Sequence, residues 1–262
     1  MHELYEELRD LLKKEQGVAL ATIVGGSAHL GAKLLIFPDK TAHGTLGQSE
    51  IDARVIADAQ QAIWSGTANI SNYILSNSET QPFDVFDVFI EGFPPPPTLV
   101  IVGAGHIAIP LTIFAKTLNY RVVVVDARAT FATRERFPAA DELIVAWPDE
   151  VLERMEINPS MSVAVLTHDP KFDEPTLKVL LTREVGYIGA IGSRKTGKER
   201  AERLKKQGFA DEQIGRVHGP IGLNIGACDP EEIALAIMAE IVAVRHNKVH
   251  AAIPEGAKKE SL

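Results

Sequence analysis

Apolar residues along the 262-residue chain recur in two rhythms, and the rhythm changes at a run of prolines. Ahead of the prolines the pattern is mixed. Leu4, Leu8, Leu11 and Leu12 fall on one face of a helix over residues 4–15, with charges between them. Residues 18–24 and 33–37 read as strands joined by a glycine-rich connection at 25–31, and residues 41–47 read as a turn. Residues 49–64 carry a helical pattern that stops at Gly66, and two more strand-like segments follow at 73–75 and 85–90. This predicts a small α+β domain over residues 1–91. The run Phe93-Pro94-Pro95-Pro96-Pro97 supplies no ladder N–H groups and favours an extended conformation, so residues 92–97 are expected to be a linker.

From residue 98 to 262 the pattern alternates strand and helix. The first pass reads Leu99-Val100-Ile101-Val102, then Gly103-Ala104-Gly105-His106-Ile107-Ala108, a helical stretch, then Val122-Val123-Val124-Val125 and Asp126. Strand, glycine turn, helix, strand and acid form the fingerprint of a dinucleotide-binding unit. Gly103 permits the tight turn, Gly105 lets a phosphate approach the backbone, and Ala108 is small enough for close helix–strand packing. The helix start offers unpaired N–H groups to a pyrophosphate. Asp126 suits a ribose diol and disfavours a 2′-phosphate. Candidate strands at 142–146, 162–166 and 187–191 alternate with helices near 149–155, 173–185 and 196–207. Five such strands predict a Rossmann-like, doubly wound parallel sheet. A last helix opens at Asp229-Pro230-Glu231-Glu232 with cap-like residues and continues to Lys248.

In such a sheet, ligands sit beyond the carboxyl ends of the strands. Segments 103–107, 126–128, 146–148, 167–169 and 192–195 are therefore expected to rim one crevice. The candidate contacts are Gly103, Gly105, His106, Ile107, Asp126, Arg128, Thr167, His168, Asp169, Gly192, Ser193 and Arg194. His106 stands at the helix start, placed for ligand contact or proton transfer, or simply as a polar first-turn residue. Asp169 is placed to orient His168 for general-base work or metal ligation, or to begin the next helix by turn chemistry. Ser193 is a helix cap. Arg194 and Lys195 then oppose the helix dipole, a conflict that a bound anion resolves and a solvated basic face also explains. Cys228 has no visible partner and reads more simply as a small buried residue than as a reactive thiol. The paired glycines of 219–226 are expected to form a rigid wall of the site.

Charge and composition narrow the classes. The net charge of −8, from 27 basic and 35 acidic residues, argues against general nucleic-acid or anionic-membrane binding. One cysteine precludes an intrachain disulfide and fits a reducing cytoplasm. The N-terminus reads as an amphipathic helix and not a signal peptide, and no apolar run is uninterrupted enough to span a membrane. The apolar last helix offers a face for a homodimer.

The motifs GSAHLGAK (26–33), GTLG (44–47), IVGAGHIA (101–108), VVDAR (124–128), RFP (136–138), LTHD (166–169), YIGAIGSRK (187–195) and PIGLNIGACDPEEIALAIMAEIVAVR (220–245) resemble the XdhC/CoxI family over nearly the whole chain. The family comprises accessory proteins of xanthine and carbon monoxide dehydrogenases. The resemblance implies a small N-terminal domain followed by a Rossmann-like domain. It also implies a role in which molybdenum cofactor (molybdopterin) is bound, protected during sulfuration and delivered to an apo-molybdoenzyme, with a cysteine desulfurase as second partner. No catalytic residue and no metal ligand is implied in this chain. The N-terminal motifs depart from the family's pattern: Ala28-His29-Leu30 stands where a Pro-Arg portion is usual, and Gln48-Ser49 replaces two glycines. Read from the residues alone, an NAD(P)-dependent oxidoreductase or a non-catalytic sensor of an NAD-like dinucleotide uses the same glycine turn.

Overall fold

The structure is a computed structural model that describes residues 2–26, 28–75 and 84–246. Ser27 of the glycine-rich connection, and Asn247-Lys248 at the expected end of the last helix, lie outside the described residues. The chain divides into two compact units, residues 1–96 and 97–262.

The first unit contains α1 (His2–Lys13), β1 (Val18–Gly26), β2 (Lys33–Ile36), β3 (Ala42–Thr45), α2 (Ser49–Ser65), β4 (Ala68–Leu75) and β5 (Asp84–Phe93). Its sheet is antiparallel in the order β3-β2-β1-β5-β4. Period-two alternation splits β1 between two cores. Ala19, Ala21 and Ile23 pack with Ile51, Val55, Ala59 and Ile63 of α2, whereas Val18 and Leu20 meet Leu4, Leu8 and Leu11 of α1. Gly66 ends α2 in the left-handed conformation, φ 64°, with its N–H on the Ala62 carbonyl. The segment expected to be a turn at 41–47 contains strand β3. Its register, Leu34 opposite Gly44 and Leu35 opposite His43, is set by the backbone ladder. Three of its four residues are exposed, so no apolar alternation announces it.

The second unit runs β6 (Thr98–Val102), α3 (Ala108–Thr117), β7 (Arg121–Val125), β8 (Glu142–Ile144), α4 (Pro148–Arg154), β9 (Met161–Val165), α5 (Pro170–Leu181), β10 (Tyr187–Ala190), α6 (Arg194–Lys206), α7 (Asp211–Ile214), β11 (Val217–His218) and α8 (Pro230–Arg245). The sheet is parallel throughout, in the order β11-β10-β9-β6-β7-β8. Five of these strands match the expected ones. The sixth, β11, has two residues, too few for a periodic signal, and is held by pairing with Ile188 and Gly189. Alternate residues of the central strands feed two cores. Leu99, Ile101, Val122 and Val124 pack with α3 and α8. Val100, Val102, Val123 and Val125 pack with Leu152 of α4, Leu177 and Leu180 of α5 and Leu204 of α6. A parallel sheet buried on both faces needs such apolar strands. Strand order reverses between β6 and β9, which opens a crevice at their carboxyl ends.

Candidate functional site

The five expected rim segments follow the carboxyl ends of β6, β7, β8, β9 and β10. The structure sorts their residues into two groups, a glycine turn and a cavity.

At the turn, Gly103 adopts φ 103° and donates its N–H to the Val125 carbonyl at 2.8 Å. A Cβ there would lie 2.8 Å from Thr167 Cγ2, so glycine is what lets the ends of β6 and β9 close on each other. Gly105 is different: nothing lies within 4 Å of where its Cβ would stand. The space that an approaching phosphate needs is present. His106 is exposed beside it.

Asp126 departs from the expectation of a free ribose acceptor. It is 2% exposed and its oxygens are already taken. They accept from the Ala104 N–H at 2.8 Å, the Arg128 N–H and Nε at 2.9 Å each, and Arg128 Nη2 at 2.8 Å. Burial pushes this carboxyl up, but the hydrogen bonds from Arg128 and Ala104 outweigh it and hold the group below the ordinary aspartate value. Asp126 thus ties the turn after β6 to the end of β7. Arg128 completes that tie and lies over the Phe131 ring at 4.2 Å.

Ile107 leads from the turn into a cavity of about 550 Å³. One wall is apolar: Ile107, Ile191, Ile221 and Ile233. Another is polar: Ser193 and Thr196 at the start of α6, then Asp173 of α5 and Arg200 of α6. His168 and Gly192 stand at its edge. His168 takes a left-handed backbone, φ 60°, uncommon outside glycine. Asp169 caps α5 by accepting from the Lys171 N–H at 3.0 Å, which realises the turn-chemistry reading of this segment. The Thr167 hydroxyl donates to Asp173.

Two expectations change here. Arg194 and Lys195 are exposed and do not line the cavity. Ser193 caps α6 by accepting from the Thr196 N–H at 3.1 Å, and Lys195 faces Glu199 at 4.0 Å. The cations that do line it are Arg200 and Arg203. Arg203 is paired with Glu174, whereas Arg200 is 5% exposed, donates from Nη2 to the Ile191 carbonyl at 2.7 Å and stands 3.6 Å from Asp173 Oδ2. Burial lowers Arg200 and raises Asp173, so at this separation neither fully compensates the other. Cys228, expected to be buried, is exposed. Its loop is held from the backbone, with the Cys228 N–H donating to Glu232 at 2.9 Å.

Glu240 is a further residue not singled out from the sequence. It is 8% exposed, accepts from the Tyr187 hydroxyl and from the Gly222 N–H at 2.8 Å, and stands 3.4 Å from His218 Nδ1. Burial raises its carboxyl, but His218, Tyr187 and Gly222 outweigh this and hold it low; burial and Glu240 push the Tyr187 phenol well up. Glu240 pins the 219–226 loop to α8, and Pro220 and Ile221 of that loop form cavity wall. The signal was available: a lone acid inside the otherwise apolar run of residues 233–244. Among the described residues no cluster of three or more His, Cys, Asp or Glu could hold a metal ion, and no helix is long and apolar enough to cross a membrane.

Two family models match the chain: the XdhC Rossmann domain over residues 99–241, and the XdhC and CoxI family over residues 11–73. The chain is similar to the uncharacterized protein YqeB of Escherichia coli strain K12, 27% identical over 253 residues, covering 93% of this chain and 46% of YqeB. It is 34% identical over 159 residues to a protein of Bacillus subtilis strain 168 described as a probable xanthine dehydrogenase subunit, covering 61% of this chain and 46% of that one. It is 29% identical over 100 residues to the molybdenum cofactor insertion chaperone PaoD of E. coli K12, covering 38% and 31%. The chain therefore spans less than half the length of these curated relatives. A crystal structure described as a xanthine dehydrogenase from Bacillus halodurans shares the fold, with a TM-score of 0.53 and 24% identity over 95% of this chain and 97% of that one.

Proposed function

The chain belongs to the XdhC and CoxI family, and from that premise we propose that it is a maturation accessory protein. In this reading its cargo is the molybdenum cofactor, held in the crevice of the second unit, protected while a cysteine desulfurase acts on it, and handed to a xanthine dehydrogenase-type apo-enzyme. A relative described as a molybdenum cofactor insertion chaperone supports the cargo, and one described as a probable xanthine dehydrogenase subunit supports the client. The observation that carries the reading is the cavity itself: about 550 Å³, apolar on one wall, with the buried Asp173–Arg200 pair on the other. That volume falls in the range of about 300–1,000 Å³ that takes a small-molecule ligand.

The residues present fit such a cargo. The open space at Gly105 admits a phosphate to the backbone, and Ser193 and Thr196 offer hydroxyls at the mouth of a helix. The bound cofactor supplies its own oxidation–reduction and sulfur chemistry only in the client. This chain's task is to bind, to orient and to keep water out. Binding without turnover asks for no acid–base pair. Asp169 is spent on the helix cap, accepting from the Lys171 N–H at 3.0 Å.

Adding the protein and molybdenum cofactor to an inactive apo-molybdoenzyme is expected to raise its activity above that with cofactor alone. No gain, together with oxidation or reduction of nicotinamide with some alcohol, aldehyde or hydroxy acid, would replace this reading with a dehydrogenase. The glycine turn and strand order favour that dinucleotide reading as the second one. It loses its ribose acceptor, because Asp126 is committed to Ala104 and Arg128.

A further inference from the structure

The polar wall of the cavity carries more information than a place for a phosphate. The acid in its lining, Asp173, is 3% exposed, yet it is poorly supplied with donors. Oδ1 accepts from the Thr167 hydroxyl. Oδ2 faces Arg200 Nη2 at 3.6 Å, longer than a hydrogen bond, and that nitrogen already donates to the Ile191 carbonyl at 2.7 Å. An ionised carboxylate has about four acceptor positions. The positions not used by Thr167 belong to a side chain that lines the cavity. Burial raising this carboxyl above its ordinary value agrees with an acid short of partners. At a purely structural site the acid would be satisfied, as Asp126 and Glu240 are.

A carboxylate presents two acceptors side by side in a plane. Its complement is a planar group with two parallel N–H donors. A phosphate is the opposite of that complement, because it would meet Asp173 as a like charge. The facing apolar wall, Ile107, Ile191, Ile221 and Ile233, suits the faces of a flat ring.

We propose that the cavity selects its ligand by a 2-amino-4-oxo-pyrimidine edge, with Asp173 accepting from the exocyclic amino group and the adjacent ring N–H. Pterin and guanine share that edge. The inference rests on the cargo reading above, since the molybdenum cofactor carries a pterin. It adds where the ring goes and what chooses it. Thr167 and Arg200 are positioning residues: they fix the carboxylate so that both oxygens face the ligand's donors together.

The test uses the full chain and three stable probes: 6-hydroxymethylpterin, its 2-oxo analogue 6-hydroxymethyl-lumazine, and guanosine monophosphate. Lumazine turns an acceptor toward Asp173 where pterin turns a donor. Calorimetry is expected to show pterin bound at least about tenfold more tightly than lumazine, the loss expected for one charge-assisted hydrogen bond. Asp173→Asn replaces one acceptor by a donor, which matches lumazine, so the preference should shrink or reverse. Guanosine monophosphate separates the two sources of the edge: binding tighter than pterin retains the edge and makes a guanine nucleotide its source. Equal affinity of the wild-type chain for pterin and lumazine overturns the proposal, as does a ratio unchanged by Asp173→Asn, or no binding of any probe at millimolar concentration. If the variant does not fold, the wild-type pterin-to-lumazine ratio decides alone. Reconstitution of an apo-enzyme is read separately, so the cargo reading can stand while this inference falls.

Discussion

The glycine turn and the cavity lie on the same crevice, and each contains one buried aspartate. Asp126 is 2% exposed and Asp173 is 3% exposed, but their carboxyls are displaced in opposite directions. Asp126 receives four hydrogen bonds from Ala104 and Arg128. Asp173 receives one, from Thr167, and faces a guanidinium out of hydrogen-bonding range. Equal burial therefore says nothing about role. The number of donors says a great deal: a satisfied acid holds the fold together, and an under-supplied one in a cavity wall waits for a donor from elsewhere.

The strongest way to break this comparison is to remove the satisfied acid. Asp126→Ala orphans the Ala104 N–H and frees Arg128, and should destabilise the second unit by about 3 kcal/mol, the scale of a lost charge-assisted network. Denaturant unfolding measures it, and a loss as small as that of a surface substitution would mean that the turn does not depend on this tie. Next in size is Gly103→Ala, which combines a positive φ with a Cβ only 2.8 Å from Thr167. It should cost about 2 kcal/mol, and a melting temperature matching wild type would contradict the close approach of β6 and β9. Two positions on, Gly105→Val should leave stability within about 0.5 kcal/mol, because its Cβ direction is open. The same variant should lose affinity for phosphate-bearing ligands, and unchanged affinity in the folded protein would remove the phosphate from this turn.

The smallest effect is in pH dependence, and it sharpens the contrast most directly. Asp126 is held below its ordinary value, so its contribution to stability is present above the unfolded aspartate value and is lost as pH falls through the depressed one. Asp173 is raised, so its contribution is present below the unfolded value and is lost as pH rises through the raised one. The stability difference between wild type and Asp126→Asn should shrink on acidification. That between wild type and Asp173→Asn should move in favour of wild type. Urea midpoints across the acid range read both, and parallel curves would mean that the two acids are alike.

Much of this architecture is legible in the sequence. The apolar runs around residues 99–102 and 122–125, broken by Gly103 and Gly105, identify the first strand–helix–strand unit, because a buried parallel strand has no polar face to confuse the pattern. β3 and β11 escape because their registers are fixed by neighbours and their residues carry no alternation. The site is less legible. Within the basic run of α6, nothing local distinguishes Arg200 from Arg194 except its spacing. It lies four residues before Leu204 and so shares the buried face, while Arg194 does not. Asp173 likewise lies four residues before Leu177 on α5. A charged residue in register with the buried stripe was the available signal. What each then meets, a hydroxyl, a carbonyl or a ligand, depends on an element far away in sequence.

The position of β6 also bears on how the polypeptide is made. It is the first strand of the second unit to be synthesised, and it ends up in the middle of the sheet, flanked by β7 and β9. Until Val165 has emerged, the edge of Leu99, Val100, Ile101 and Val102 that will receive β9 has no partner. Such an apolar, unpaired edge is a template for the wrong neighbour. A nascent chain stalled before Met161 is therefore the species most in need of a holdase, and a fragment ending there should aggregate more readily than the 262-residue chain.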